Sequence, residues 1–132
     1  MKFKYSRYGS VLRPIIPILV QHGSSEIGYE VLVDSGADVC LFSSGIGEAL
    51  GIEVKKGRPC EILGVGGKYS VAYFRMVTIV VGESTFCIEA GFMPDIAGHV
   101  MSYGLVGQKG FFDHFVVKFD LLKGDIELKQ RK

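Results

Sequence analysis

Glycine, aspartate and serine cut the apolar residues of this chain into short runs, and that punctuation limits the fold more than any other feature. With 18 glycines in 132 residues and 48% of positions apolar, runs of a few residues alternate with turn formers. That is the pattern of many short strands in a sandwich or barrel. The spacing predicts strands over 13–21, 28–33, 39–42, 59–63, 69–81, 84–91, 104–106, 115–120 and 125–129. Gly82-Glu83 and Lys123-Gly124-Asp125 read as hairpin turns. One or two short helices fit between the strands. Ile46, Ala49 and Leu50 share a face at i, i+3 and i+4, with Gly51 as the stop. A second helix is expected over 108–115, where Phe111, Phe112 and Phe115 would cover a core. The fold class is therefore all-β.

A length of 132 residues reads as a single domain over 1–132, with a flexible N-terminal arm over 1–12 and a tail at 130–132. Basic residues gather at the two ends (Lys2, Lys4, Arg7 and Arg13; Lys129, Arg131 and Lys132) and read as solvated. A net charge of +1 gives no reason to expect nucleic acid as a partner. The apolar run over 11–20 is too short for a membrane span, and Arg13, Pro14 and Pro17 interrupt it. Its prolines suit an extended edge strand. Cys40, Cys60 and Cys87 are odd in number and lack CxxC spacing, and His22, His99 and His114 lack metal-ligand spacing. Reduced thiols, a cytoplasmic location, no membrane, no metal and no cofactor are expected.

The stretch "VLVDSGADVCLF" at 31–42 sets two apolar runs either side of a polar turn. In the plain reading, Asp34 caps its own turn. In the chemical reading, Asp34 is one half of a catalytic pair. Hydrolysing a peptide without metal or nucleophile needs a base to activate water and an acid to protonate the carbonyl oxygen. Two adjacent carboxylates sharing one proton supply both, and they titrate as a unit. Gly36 would let two backbone segments approach and leave an amide facing the carboxylate.

"LVDSGAD" resembles the Asp-Thr/Ser-Gly-Ala-Asp/Glu signature of the retropepsins, the retroviral-type aspartic proteases. Other segments match in order: "ILGVGGKY" at 62–69 is similar to the glycine-rich flap, "GLVG" at 104–107 to the apolar-apolar-Gly element, and "ALGI" at 49–52 to the short helix of bacterial and cellular members. The resemblance spans about 13–128 and implies a closed acid-protease barrel. It implies Asp34, Ser35 and Gly36 as the catalytic loop, and Ala37, Asp38, Gly64, Val65, Gly66 and Gly67 as substrate-binding residues. Only one Asp-Ser-Gly is present, so a working site would need a homodimer, each chain giving Asp34, and the substrate would be a peptide or protein. Ala37 has no hydroxyl to offer the carboxylate, which favours a mildly acidic to neutral working pH.

Two features depart from the retropepsin pattern. Arg usually follows the apolar-apolar-Gly element and pairs with the second acid of the motif; here Gln108 and Lys109 follow it. Asp38 then lacks a bidentate partner, and Lys109 is the candidate point-charge substitute. The chain also continues into a hairpin over 115–129, the expected dimer sheet. The alternative function is a catalytically silent barrel of the same fold that binds peptides or dimerises. A plain all-β binding domain, with DSGAD only a turn, is the weaker third reading.

Overall fold

The computed structural model describes residues 1–64, 66–94 and 103–131. Its strands are β1 (Lys2–Lys4), β2 (Ser6–Tyr8), β3 (Val11–Arg13), β4 (Ile15–His22), β5 (Ser25–Val33), β6 (Cys40–Ser43), β7 (Arg58–Leu63), β8 (Tyr69–Val81), β9 (Ser84–Met93), β10 (Gly104–Val106), β11 (Phe115–Asp120) and β12 (Asp125–Gln130), with helix α1 (Ser44–Ala49) after β6. Six strands close on themselves in the order β4-β5-β10-β6-β9-β8, and a β4–β8 pairing shuts the ring, so the fold is a retropepsin-like barrel. Closure removes the open edges that make a free sheet prone to aggregation.

The pattern of β4 explains its place. Ile16, Ile18 and Val20 are buried while Pro17 and Leu19 face out, the period-two alternation of a strand with one face on the core. Its Pro17 fits because pairing on the second side begins later. Pro17 lies opposite Glu30 of β5, whereas only Leu19, Val20 and Gln21 also pair with β8. The expected edge strand is thus an edge over its first half and a closing strand over its second.

Strand β8 serves two cores. Ala72 and Phe74 are buried with Leu41 and Met93 in a small cluster. Further along, Val77, Ile79 and Val81 point from the opposite face into the barrel interior. The main core stacks Phe42 and Phe92 edge to face at 5.9 Å, and both are fully buried. Such burial stabilises by roughly 1.5–3 kcal/mol per side chain.

Helix α1 forms where Ile46, Ala49 and Leu50 suggest. The Ser43 hydroxyl accepts from the Gly45 amide at 3.3 Å as N-cap, and Gly51 has φ 78°, where glycine alone is unstrained. The second expected helix is replaced by a wide single turn, Gln108–Phe112. Lys109 is extended there, and Gly110 has φ 105°, which no right-handed helix accommodates. Phe111 and Phe115 still reach the core.

Residues 1–12, expected as an arm, are paired in strands. β1 lies antiparallel to β12, β2 pairs with β3, and the Met1 ammonium donates to the Leu128 carbonyl at 2.9 Å. Phe3 and Tyr5 pack against the main core, so Lys2 and Lys4, which alternate with them, are the outer face of a strand. β12 is the middle of a three-stranded sheet in the order β1-β12-β11. No helix among the described residues is long and apolar enough to cross a membrane.

Candidate active site

The DSGAD loop joins β5 to β6, and β10 is inserted between those strands, parallel to β5 and antiparallel to β6. This insertion fixes the loop from beneath. The Asp34 amide donates to the Val106 carbonyl at 3.0 Å, and the Ala37 amide closes a turn onto the Asp34 carbonyl at 3.1 Å. The Gly36 amide donates to Asp34 Oδ1 at 2.9 Å. Asp34 is therefore a turn-capping carboxylate, as the plain reading holds. A side chain at position 36 would crowd it, since a Cβ there would lie 3.2 Å from Oδ1.

The element after β10 holds the other side of the loop. A Cβ on Gly107 would stand 2.5 Å from the carbonyl oxygens of both Ala37 and Val39, so only glycine permits this approach. The Gln108 amide donates to Ala37 O at 2.8 Å and the Lys109 amide to Asp38 O at 3.0 Å. The Gln108 side chain also reaches the loop, Nε2 donating to the Ser35 carbonyl at 2.7 Å.

Above the loop lies a cleft of about 770 Å³. Asp34, Gly36, Ala37 and Asp38 line its floor, and Ile62, Leu63 and Gly64 line the opposite wall. That wall is the β7–β8 hairpin, paired from Arg58↔Phe74 to Leu63↔Tyr69. β9 pairs with β8 only from Tyr73 onward, so among the described residues the outer hairpin has no strand pairing to the barrel and rests on it through Ala72, Cys60 and Ile62, which pack with Leu41 and Met93. Its tip is closed by Gly64 N–H to Lys68 O at 2.9 Å, and Gly66 and Gly67 have φ of 92° and 78°. Val65, expected to bind substrate at this tip, lies outside the described residues, as does His99. Ser35, at the exposed crest of the turn, does not line the cleft.

Several contributors escape sequence reasoning. Leu41, Phe74, Met93 and Leu105 give the cleft an apolar pocket. Arg58 at its rim pairs with Glu89 at 2.9 Å and lies 4.9 Å over the Phe74 ring. Asp38 is exposed and has no ion pair among the described residues, so Lys109 holds the loop through its backbone rather than by charge. No group of three or more metal-ligating side chains occurs among the described residues.

Cys40, just beyond the motif, is a buried support. Burial pushes its thiol up to about 11, the Asp113 charge adds to this, and a backbone contact at Gly107 opposes it. A raised value means that folding favours the protonated thiol. Its contribution to stability is complete below the ordinary thiol range and is lost as pH climbs towards 11. At about pH 8, iodoacetamide should label exposed Cys87 readily and Cys40 only when the chain unfolds. Peptide mapping by mass spectrometry checks this; equal labelling of the two would contradict the buried placement.

Comparisons with known proteins agree with this architecture. The family described as "Aspartyl protease" matches residues 20–109. A retropepsin-like aspartic protease from Rickettsia conorii has a similar structure, with a TM-score of 0.67 at 18% identity over 97% of this chain and 89% of that one. The EIAV protease, in complex with the inhibitor HBY-793, is similar with a TM-score of 0.57 at 23% identity over 78% of this chain and 88% of that one. Curated protein sequences give no significant match. The family match contains the DSGAD loop, the glycine-tipped hairpin and the inserted strand, and on that match the chain belongs to the aspartyl protease family, with a retropepsin-like fold.

Proposed function

We propose that the chain is an aspartic endopeptidase that acts as a homodimer, with Asp34 from each of two copies forming the catalytic pair. The observation that carries this reading is the position of Asp34 on the floor of a cleft whose opposite wall is a glycine-tipped hairpin. A carboxylate that only capped a turn has no need of an apolar, strand-sized groove above it. Each chain carries one Asp-Ser-Gly, so a two-fold axis near the loop has to supply the second acid.

In the proposed reaction the two carboxyls share one proton. The ionised Asp34 takes a proton from water, and the water oxygen attacks the peptide carbonyl carbon. The protonated Asp34 of the other copy gives its proton to the carbonyl oxygen. The tetrahedral species then collapses: the C–N bond breaks as the nitrogen takes the proton that the first Asp34 had received from water, and a hydroxyl of the diol returns a proton to the other Asp34, which restores the pair with its one shared proton. Gly36 keeps Oδ1 of Asp34 oriented through its amide. Ser35, exposed at the turn, would meet the facing loop. Ala37 and Asp38 would bind the substrate backbone on one side, and Gly64, Val65, Gly66 and Gly67 would close over it on the other. Val39, Leu41, Phe74 and Leu105 would take an apolar substrate side chain.

The contact between copies is assigned to the outer sheet. The hairpin β11–β12 exposes Val116, Phe119, Leu121 and Leu122, more apolar surface than a hairpin in water usually leaves uncovered.

Cleavage of a diverse peptide mixture, read by mass spectrometry between pH 4 and 8, tests the function. If a dimer is required, specific activity should rise with protein concentration until the dimer saturates. Activity per chain that stays constant while sedimentation reports a monomer would overturn the dimeric site. An inert dimer would favour the peptide-binding alternative.

A further inference from the structure

Gln108 holds one peptide group of the catalytic loop from the side opposite to Asp34. The carbonyl of Ser35 and the amide of Gly36 belong to the same planar unit. The carbonyl accepts from Gln108 Nε2 at 2.7 Å, and the amide donates to Asp34 Oδ1 at 2.9 Å. The two bonds leave that unit in opposite directions, as a trans peptide requires. A tilt of its plane that loosened one bond would loosen the other. The same residue is tied to the loop a second time, because its backbone amide donates to Ala37 O at 2.8 Å. That bond fixes where the side chain starts, and Gly107 allows the close approach.

We infer that Gln108 is a positioning residue for the proposed reaction, acting on the Asp34 carboxylate through the Ser35–Gly36 peptide. This inference rests on the catalytic role proposed for Asp34. The loop's exposed crest has no other side-chain anchor among the described residues. Polarising the peptide from its carbonyl side strengthens the donor on its amide side. The device is uncharged, so salt screens it little compared with an Arg–carboxylate clamp.

Gln108→Met keeps the length and the backbone bond but removes the donor. Because the side chain is exposed, the fold should be kept, and a melting curve checks that it is. The expected result is a fall in kcat of about five- to tenfold, with KM changed less than about twofold, since one neutral hydrogen bond is at stake. Gln108→Arg, which restores a donor, should recover kcat to within about twofold of wild type. An amide NMR spectrum gives a readout independent of turnover. The Gly36 amide proton should move upfield in Gln108→Met as its bond to Asp34 weakens, and return in Gln108→Arg.

An unchanged Gly36 resonance, or unchanged kcat from an active Gln108→Met enzyme, would overturn the inference. No cleavage by the wild type would instead count against the proposed function. In that case the Gly36 resonance alone decides whether Gln108 positions the loop.

Discussion

Asp34→Asn should abolish peptide cleavage, by on the order of 10³-fold or more, while the melting temperature stays within about two degrees of wild type. The two halves of that expectation come from different roles of one side chain. As a turn former, Asp34 needs only an oxygen that accepts from the Gly36 amide. Asparagine has that oxygen and is equally at home in such turns. As an acid and base, Asp34 needs a group that exchanges a proton with water, and an amide does not. The substitution thus leaves the loop intact and removes the chemistry. Circular dichroism melts beside peptide cleavage assays check both halves. Activity that survived in Asp34→Asn would leave DSGAD a turn and nothing more.

Gly107→Ala should be the most damaging single methyl group in the site. The added carbon would stand 2.5 Å from two backbone carbonyl oxygens, those of Ala37 and Val39. Neither belongs to a side chain that can swing away. Relief requires β10 and the DSGAD loop to separate, and that also pulls on the bonds from Gln108 and Lys109 to the loop. The cost should reach about 3 kcal/mol, the upper end of ordinary overpacking. Cleavage should be lost even at temperatures where the chain remains folded. By contrast, Gly64→Ala in the hairpin tip meets nothing closer than 3.6 Å and should fold normally. Denaturant titration of the two variants separates the cases, and equal stability for Gly107→Ala would mean that the loop is not held as described.

The parts of this protein that were legible in its sequence are those encoded locally. Strand periodicity marks β4 and β8 because their inward residues repeat every second position. Helix α1 is marked by Ile46, Leu50 and Gly51. The DSGAD turn is written in residues that have few other uses. What local reading loses is anything that depends on a distant strand. The Lys2–Lys4 segment alternates charged with aromatic residues, a strand signal, but the count of basic residues hides it until β12 is known to lie beside it. The helix expected over 108–115 fails at two adjacent residues, Lys109, which is extended, and Gly110, whose positive φ serves a turn under the loop rather than a helix axis. The apolar pocket of the cleft could not be assembled from sequence, because Leu41, Phe74, Met93 and Leu105 come from four different strands. The link from Gln108 to Ser35 spans 73 positions, and only the insertion of β10 between β5 and β6 brings its ends together.

The central claim, that two copies of Asp34 make one catalytic site, is tested most directly by mixing. Wild-type chain and Asp34→Asn chain are combined at fixed total concentration, allowed to exchange partners, and assayed for peptide cleavage. If every active site needs Asp34 from both chains, the rate follows the square of the wild-type fraction, so an equal mixture keeps about one quarter of the activity. A rate that falls linearly with the wild-type fraction would mean that each chain works with its own Asp34 alone, and the shared pair would have to be given up.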